Sequence, residues 1–451
     1  MSTHKRREFL KKLGLAGAAV AAGSSSATAQ NKHAFAYLKR NKPYAQGDAV
    51  NIALIGAGGM GSADTNTCLK HEGVNLVAVC DLYSGRLESA KEKWGEDLFL
   101  TKDYKEILSR SDVDAVIIGT SDHWHKQISI DALNAGKHVY CEKPMVHSVE
   151  EGHDVIKAWK KSGKVMIVGA QGVSSLGNEK AKELLAAGAI GTLNYAEGFW
   201  ARHSPGGAWQ YNIPDDASEE TVDWDRYISN TKKRPFDAKR FFRWRNYRDY
   251  GTAMSGDLFV HLFSSLHYIT NSNGPTQVSA LGGLRYWKDG REVPDVLIGS
   301  FQYPEVKEHP GFNLSLRCNF VDGTSGTTYL RLVGSEGSMD VQWEKVIVKK
   351  NSGGSKRATD RHALNLLKEQ GLPEPRKEIL PPTEMVYEVE EGYKGAHYDH
   401  HGYWLEAIRT GAPVVEDPVF GFRAAAPSLL CNDSYHENKF IEWDPVKMKV
   451  M

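Results

Sequence analysis

Four groups of residues have types and spacings that could do chemistry. Gly56-Ala57-Gly58-Gly59-Met60-Gly61 has the GxGxxG form. In such a run the first glycine permits a tight turn, the second lets backbone approach a pyrophosphate, and the third lets a helix pack close to a strand. Asp81 follows twenty residues after Gly61, where an acid accepts hydrogen bonds from an adenosine ribose. Ser121-Asp122-His123-Trp124-His125 and Glu142-Lys143-Pro144 are two short polar clusters. Asp257 and His261 stand four apart, so a helix would carry them on one face. A carboxylate beside an imidazole favours one tautomer and raises the base strength of the ring. Such a ring can take the proton from a hydroxyl while hydride leaves the same carbon.

The elements that must position these groups follow from the apolar pattern. Residues 50–55, 76–80, 113–119, 138–141 and 165–169 are short apolar runs. Helical stretches at 60–71, 84–94, 126–135 and 149–161 alternate with them, which is the form of βαβ units on a parallel sheet. The glycine run falls between the first strand and the first helix, and that helix N-terminus offers free N–H groups to phosphates. The polar clusters fall at the carboxyl ends of the third and fourth strands, where an open α/β sheet has its ligand crevice. After about residue 175 the pattern becomes period-two runs, at 193–202, 277–286, 296–303, 312–320, 327–333 and 338–349, broken by Gly, Pro and Asp, which suggests an open, mainly antiparallel sheet with one wet face. The expected fold is an N-terminal Rossmann doubly wound parallel sheet at 49–172 and a substrate and oligomerisation domain on a large open sheet at 173–451. Residues 30–48 are polar and without period, an arm or linker, and residues 351–392 suggest a surface loop. The helix at about 400–409 is expected to pack back on the Rossmann domain.

With these residues in place the chain resembles the Gfo/Idh/MocA family of oxidoreductases. Residues 135–145, AGKHVYCEKPM, are similar to that family's GKHVxCEKP signature. Gly256-Asp257-Leu258-Phe259-Val260-His261 is similar to its D-x-x-x-H pattern, and Gly334-Ser335-Glu336-Gly337 to a late turn of its large sheet. The resemblance spans about 50–445. It implies that Lys143 hydrogen-bonds a substrate hydroxyl and favours its deprotonation, with Asp257 and His261 as catalytic partners. It also implies cofactor contacts from Gly56, Gly58, Gly59, Met60, Gly61, Asp81, Ser121, His125, Glu142 and Lys143. His125 matches a position beside nicotinamide and substrate, and a purely structural histidine fits as well. Ser121 departs from the family's common Thr-Pro turn. Asp81 favours NAD, since a carboxylate repels a 2′-phosphate, while Arg86 close by leaves NADP open.

Residues 205–250 are rich in Trp, Tyr, Arg and Pro. Tyr211, Arg243 and Arg245 are candidate contacts for a sugar, whose CH faces stack on rings and whose hydroxyls need donors; packing between domains or subunits explains the same composition. His123, His125 and His397-Tyr398-Asp399-His400-His401 are permissive for a metal, but no HxxxH or HExxH with a third ligand occurs, and no metal is expected. The 397–401 cluster could instead reach the active site.

Lys plus Arg and Asp plus Glu both number 56, so no bulk charge attracts nucleic acid or an anionic membrane. Arg6-Arg7-Glu8-Phe9-Leu10-Lys11, a weakly apolar run at 13–22, and Ala27-Thr28-Ala29 form a twin-arginine leader over 1–29. The expected location is periplasmic or extracytoplasmic. Its apolar run is far shorter than the ~20 residues that span a bilayer, so no stable membrane insertion is expected. Five scattered cysteines without a CxxC pair argue against a disulfide scaffold. The leading expectation is an oxidoreductase acting on a sugar or cyclic polyol with tightly bound NAD, homo-oligomeric through the second sheet. The alternative is an NAD-dependent glycoside hydrolase that oxidises, eliminates, adds water and reduces again. A binding protein that has lost catalysis is the third reading, and the joint presence of Lys143, Asp257 and His261 argues against it.

Overall fold

The computed structural model describes residues 34–40, 44–45, 47–202, 207–323, 328–350, 365, 368–371 and 383–451; the expected leader at 1–29 lies outside them. Six parallel strands form the first sheet, in the order Phe99–Thr101, Val74–Cys80, Val50–Ile55, Ala115–Ile118, His138–Glu142, Met166–Gly169. This is the doubly wound order whose reversal beside Val50–Ile55 opens a ligand crevice. Alternate residues of that strand enter two cores. Ile52 and Leu54 pack in a cluster with Trp404 and Leu405, and Ala53 and Ile55 in one with Ile107 and Ile128. Burial on both faces explains why the strand is a continuous apolar run. Each such leucine or isoleucine side chain contributes about 1.5–3 kcal/mol.

The second sheet has eleven strands. Its order runs Ala34–Leu38, Thr383–Val389, Lys345–Lys350, Gly337–Val341, Thr328–Gly334, Leu193–Ala201, Phe312–Asn319, Val296–Tyr303, Gln277–Gly283, Ile441–Asp444, Lys449–Val450. Two pairings are parallel, Ala34–Leu38 with Thr383–Val389 and Phe312–Asn319 with Leu193–Ala201; the rest are antiparallel. Helices Leu176–Ala186, Val260–Thr270 and Pro418–Glu437 cover one face. Along Val296–Tyr303 the residues Leu297, Phe301 and Tyr303 are buried beneath them, while Ile298 and Leu281 on the next strand lie exposed on the bare face.

Three segments differ from the sequence expectation. Residues 34–38, expected as linker, are an edge strand held by backbone pairing, which needs no side-chain period. Beyond it Arg40 reaches into the fold, with Nη1 on Glu179 (2.7 Å) and Nη2 on Asp399 (2.7 Å). Within the expected loop at 351–392, Thr383–Val389 is a strand. Residues 338–349, expected as one strand, are the hairpin Gly337–Val341 and Lys345–Lys350.

The aromatic stretch before residue 250 has a small core of its own. Val222, Trp224, Tyr227, Ile228, Phe241 and Phe242 gather around Tyr83 of the Rossmann domain. Backbone bonds from Ser84 N to Thr221 O and from Asp223 N to Leu82 O (both 2.9 Å) fasten it to the loop after the second Rossmann strand. Trp124 Nε1 and His123 Nε2 both reach Tyr227 O, fastening it to the loop after Ala115–Ile118. The excursion therefore lies across the carboxyl ends of the parallel strands. No helix among the described residues is long and apolar enough to cross a membrane.

Candidate active site

A cavity of about 660 Å³ runs from the glycine turn to the covered face of the second sheet. At one end Gly56 adopts φ +93°, and a Cβ there would stand 2.7 Å from Gly119 C. A Cβ on Gly61 would stand 2.1 Å from Gly56 O, so the helix Gly59–Cys68 can approach the strand only without one. Around Gly59, by contrast, nothing lies within 4 Å of such a Cβ: the turn is open toward the cavity. The first amides of a helix have no partner within it, and Gly58, Gly59 and Met60 line the cavity. This cradle fits a dinucleotide pyrophosphate. Asp81 accepts from Ala57 N (2.8 Å) and Tyr83 N (2.9 Å), which fixes its carboxylate beside the turn. Arg86 stands 3.5 Å from Asp81 and lies over the rings of Phe241 and Phe242. Those two rings also line the cavity, so the excursion roofs this end.

At the other end the two domains meet. Lys143, just past strand His138–Glu142, donates from Nζ to Asp257 Oδ1 (2.9 Å) and Asp257 O (2.7 Å). Arg245 Nε donates to the same Oδ1 (3.0 Å). Burial alone would raise the Asp257 pKa, but the Lys143 and Arg245 charges outweigh it and hold the carboxyl well below its ordinary range. The expected Asp257–His261 pair does not form. Residues Ser255–Phe259 make a π-turn before the helix Val260–Thr270, so the regular four-residue spacing fails, and Lys143 and Arg245 occupy the carboxylate. His261 instead stacks on Trp200, with centroids 5.4 Å apart, and meets Trp343 edge-on. Its Nδ1 is buried without a hydrogen-bond partner. Burial, then the Lys143 charge, push its pKa well below the usual value, which keeps the ring neutral.

His125 is buried beneath Lys143-Pro144, with Nδ1 2.8 Å from Pro144 O and Nε2 3.3 Å from Thr120 O. Its nitrogens are thus engaged by backbone while its ring still borders the cavity. Ser121 also borders the cavity and bonds His123 Nδ1 at 3.1 Å. Glu142 accepts from Gln171 Nε2 (2.6 Å), and burial followed by the nearby Asp64 raises its pKa well above normal. Tyr211 is 48% exposed and lines the cavity together with Arg245. Arg243 does not reach it: Nε is held by Tyr211 O (2.8 Å) and Nη1 by Gln210 Oε1 (2.5 Å), so it supports the loop instead of contacting a ligand.

Sequence reasoning did not single out Trp200, Arg202 and Trp343, all of which line the cavity. The 397–401 cluster divides. His397 lines the cavity beside Trp343, and its pKa is lowered to about 4 by burial and then by His401. His400 bonds Ser174 Oγ (2.7 Å) and Val168 O (2.8 Å), and His401 stacks on Tyr140, so both fasten the last helices to the Rossmann sheet. Among the described residues no three His, Cys, Asp or Glu side chains gather as a metal site.

Comparison with known proteins shows what part of this chain is similar to. Residues 50–170 match the model of an oxidoreductase family with an NAD-binding Rossmann fold, Gfo/Idh/MocA. Over these residues the chain is similar to the dinucleotide-binding domain of that family. An inositol 2-dehydrogenase of Salmonella paratyphi B is 34% identical over 144 residues, 32% of this chain and 43% of the relative. A glycosyl hydrolase family 109 protein of Shewanella sp. (strain ANA-3) is 33% identical over 168 residues, 35% of this chain and 37% of the relative. The match thus spans less than half the length of either curated relative. The fold extends further: a levoglucosan dehydrogenase in complex with NADH superposes with a TM-score of 0.63 at 19% identity, over 88% of this chain and 99% of the other.

Proposed function

We propose that this protein transfers hydride between a ring hydroxyl of a sugar or cyclic polyol and a tightly held NAD. The observation that carries this reading is the bond across the domain boundary, Lys143 Nζ to Asp257 Oδ1, beside a neutral His261 and in the same cavity as the glycine turn. Bound nicotinamide supplies the hydride acceptor or donor. Asp257, itself held by Arg245, fixes the Lys143 ammonium, which polarises the substrate hydroxyl. His261, a neutral ring lining the same cavity, takes the hydroxyl proton. Trp200 and Trp343 offer flat faces to the CH side of a sugar ring and exclude water. Inositol and levoglucosan, the substrates in two relatives' names, are polyhydroxylated rings and support this class.

Asp81, beside the turn, favours NAD over NADP. The Phe241–Phe242 roof over the same end supports slow exchange of the cofactor. Slow exchange suits the extracytoplasmic location that the twin-arginine leader implies, where the dinucleotide must be recycled in place. The bare sheet face with Leu281 and Ile298 supports homo-oligomerisation.

The second reading, NAD-dependent glycoside cleavage, draws support from His397. Oxidation needs one base, and this cavity holds two neutral imidazoles; the second could remove the carbon-bound proton that oxidation of its neighbour acidifies. The family 109 relative points the same way. Both readings are tested by absorbance and denaturation release of NAD(H) from purified protein, followed by sugars and aryl glycosides. Stable NADH from a free sugar supports the oxidoreductase, and aryl glycoside cleavage without net NADH supports the hydrolase. Protein that neither holds nor takes up dinucleotide refutes both.

A further inference from the structure

The reacting end of the cavity has more cations than its own acids can answer. Lys143, Arg245 and Arg202 all line it. The carboxylates there are few. Asp257 is shared between Lys143 and Arg245. Asp122 is turned away, accepting from Thr252 N (2.9 Å) and Thr252 Oγ1 (2.7 Å). Glu142 is buried and turned to Gln171, which donates to it at 2.6 Å, and Asp81 lies at the far end beside the glycine turn.

The two arginines are available in different ways. Arg245 is fixed through Nε on Asp257 and by stacking on Trp244, 4.1 Å from the ring centroid. Its two terminal nitrogens bond nothing among the described residues, leaving a rigid fork. Arg202 follows strand Leu193–Ala201 and is exposed at the cavity's edge. It has no ion pair or side-chain hydrogen bond among the described residues, yet its charge is felt at both Asp257 and His261. An oriented guanidinium fork is the group best shaped for a planar or tetrahedral oxyanion. A neutral polyol would gain nothing from that charge and would leave it to water.

Resting on the hydride-transfer reading above, we propose that the substrate is an anionic sugar, a ring bearing a carboxylate or phosphate that Arg245 and Arg202 hold while Lys143 and His261 work on a hydroxyl. The anionic group anchors the ring and fixes which hydroxyl meets Lys143.

Trp200, Trp244 and Trp343 line the cavity, so intrinsic tryptophan fluorescence reads binding without turnover. NAD-loaded full-length protein would be titrated with D-glucuronate, D-glucose 6-phosphate and D-glucose, and with the galactose series. The expected result is that one anionic sugar binds at least tenfold more tightly than its neutral parent, weakening as salt rises. The two anionic arms identify the group. Arg202→Gln and Arg245→Lys should each reduce that preference about tenfold through KM more than kcat, with bound NAD unchanged; the lysine keeps the charge beside Asp257 and removes the fork. Neutral sugars binding as tightly as anionic ones, a preference that survives both substitutions, or no fluorescence response to any anionic sugar would each overturn the proposal. Failure to hold NAD would overturn the hydride-transfer reading, and the fluorescence preference would still report separately on the anion site.

Discussion

At the glycine-turn end of the cavity the protein answers its own charged side chains and leaves only backbone amides open. Asp81 is taken by two backbone amides, Arg86 lies between Asp81 and two phenylalanine rings, and the excursion is pinned by backbone bonds. At the reacting end the pattern reverses. His261 Nδ1 has no partner, Arg245 uses one of its nitrogens, and a single carboxylate serves two cations. Buried polar groups are normally satisfied, so unanswered ones mark where a ligand completes the structure. In the proposed function the first end holds the cofactor and the second reacts.

Substitutions should separate the two ends, and the largest effect belongs to Lys143. Lys143→Met should cost about 10³–10⁴-fold in turnover. It also breaks a buried pair and should lower unfolding free energy by about 3 kcal/mol; steady-state rates and a denaturant melt read both. His261→Asn should cost about 10²–10³-fold in turnover with the melt and bound dinucleotide nearly unchanged. An equal loss of dinucleotide in that variant would mean that the ends are not independent.

Gly61→Ala attacks the other end. Its Cβ meets the Gly56 carbonyl, so stability should fall by about 1–3 kcal/mol and the protein should purify without dinucleotide. Gly59→Ala has open space around it and should leave stability within about 0.5–1 kcal/mol of wild type while weakening dinucleotide binding. Acid should undo the clamps that hold both ends together. His123, His400 and His401 have pKa values lowered to about 3 by burial, against 6.5 for the free side chain. The unfolded chain therefore binds more protons below pH 6.5. Stability from these rings is fully present above that pH and is lost as pH falls toward 3, at about 2 kcal/mol per ring by pH 5. A melting temperature flat between pH 7 and 5 would contradict the neutral clamps. Arg86→Ala should have the smallest effect, weakening dinucleotide retention by about 0.5–1 kcal/mol, seen as faster loss on dialysis.

The holding end was more legible in the sequence than the reacting end. Its glycines, strand and acid lie within 31 residues of one another, and each has a backbone reason for its identity. The reacting end draws on Lys143, Trp200, Arg202, Arg245, His261, Trp343 and His397, which only the tertiary fold brings together. Trp200 was hidden in an ordinary alternating strand, and Trp343 in the turn of a hairpin expected as a single strand. The Asp257–His261 spacing predicted the right pair of residues but the wrong contact, because a π-turn is invisible to a count of four. Thr383–Val389 carries a period-two pattern, Glu384, Val386 and Glu388 alternating with Met385, Tyr387 and Val389, but its charged side obscured it beside the Pro-rich stretch before it.

The edge strand at 34–38 ties the order of synthesis to the finished shape. Ala34 pairs with Met385, and Arg40 closes on Asp399, so the first described strand has no partner until the ribosome has passed nearly the whole chain. Contacts of such long sequence separation form late. The strand at 34–38 is consequently unpaired in any product that ends before residue 385. Its attachment is a physical record, carried at the start of the chain, that the end has folded.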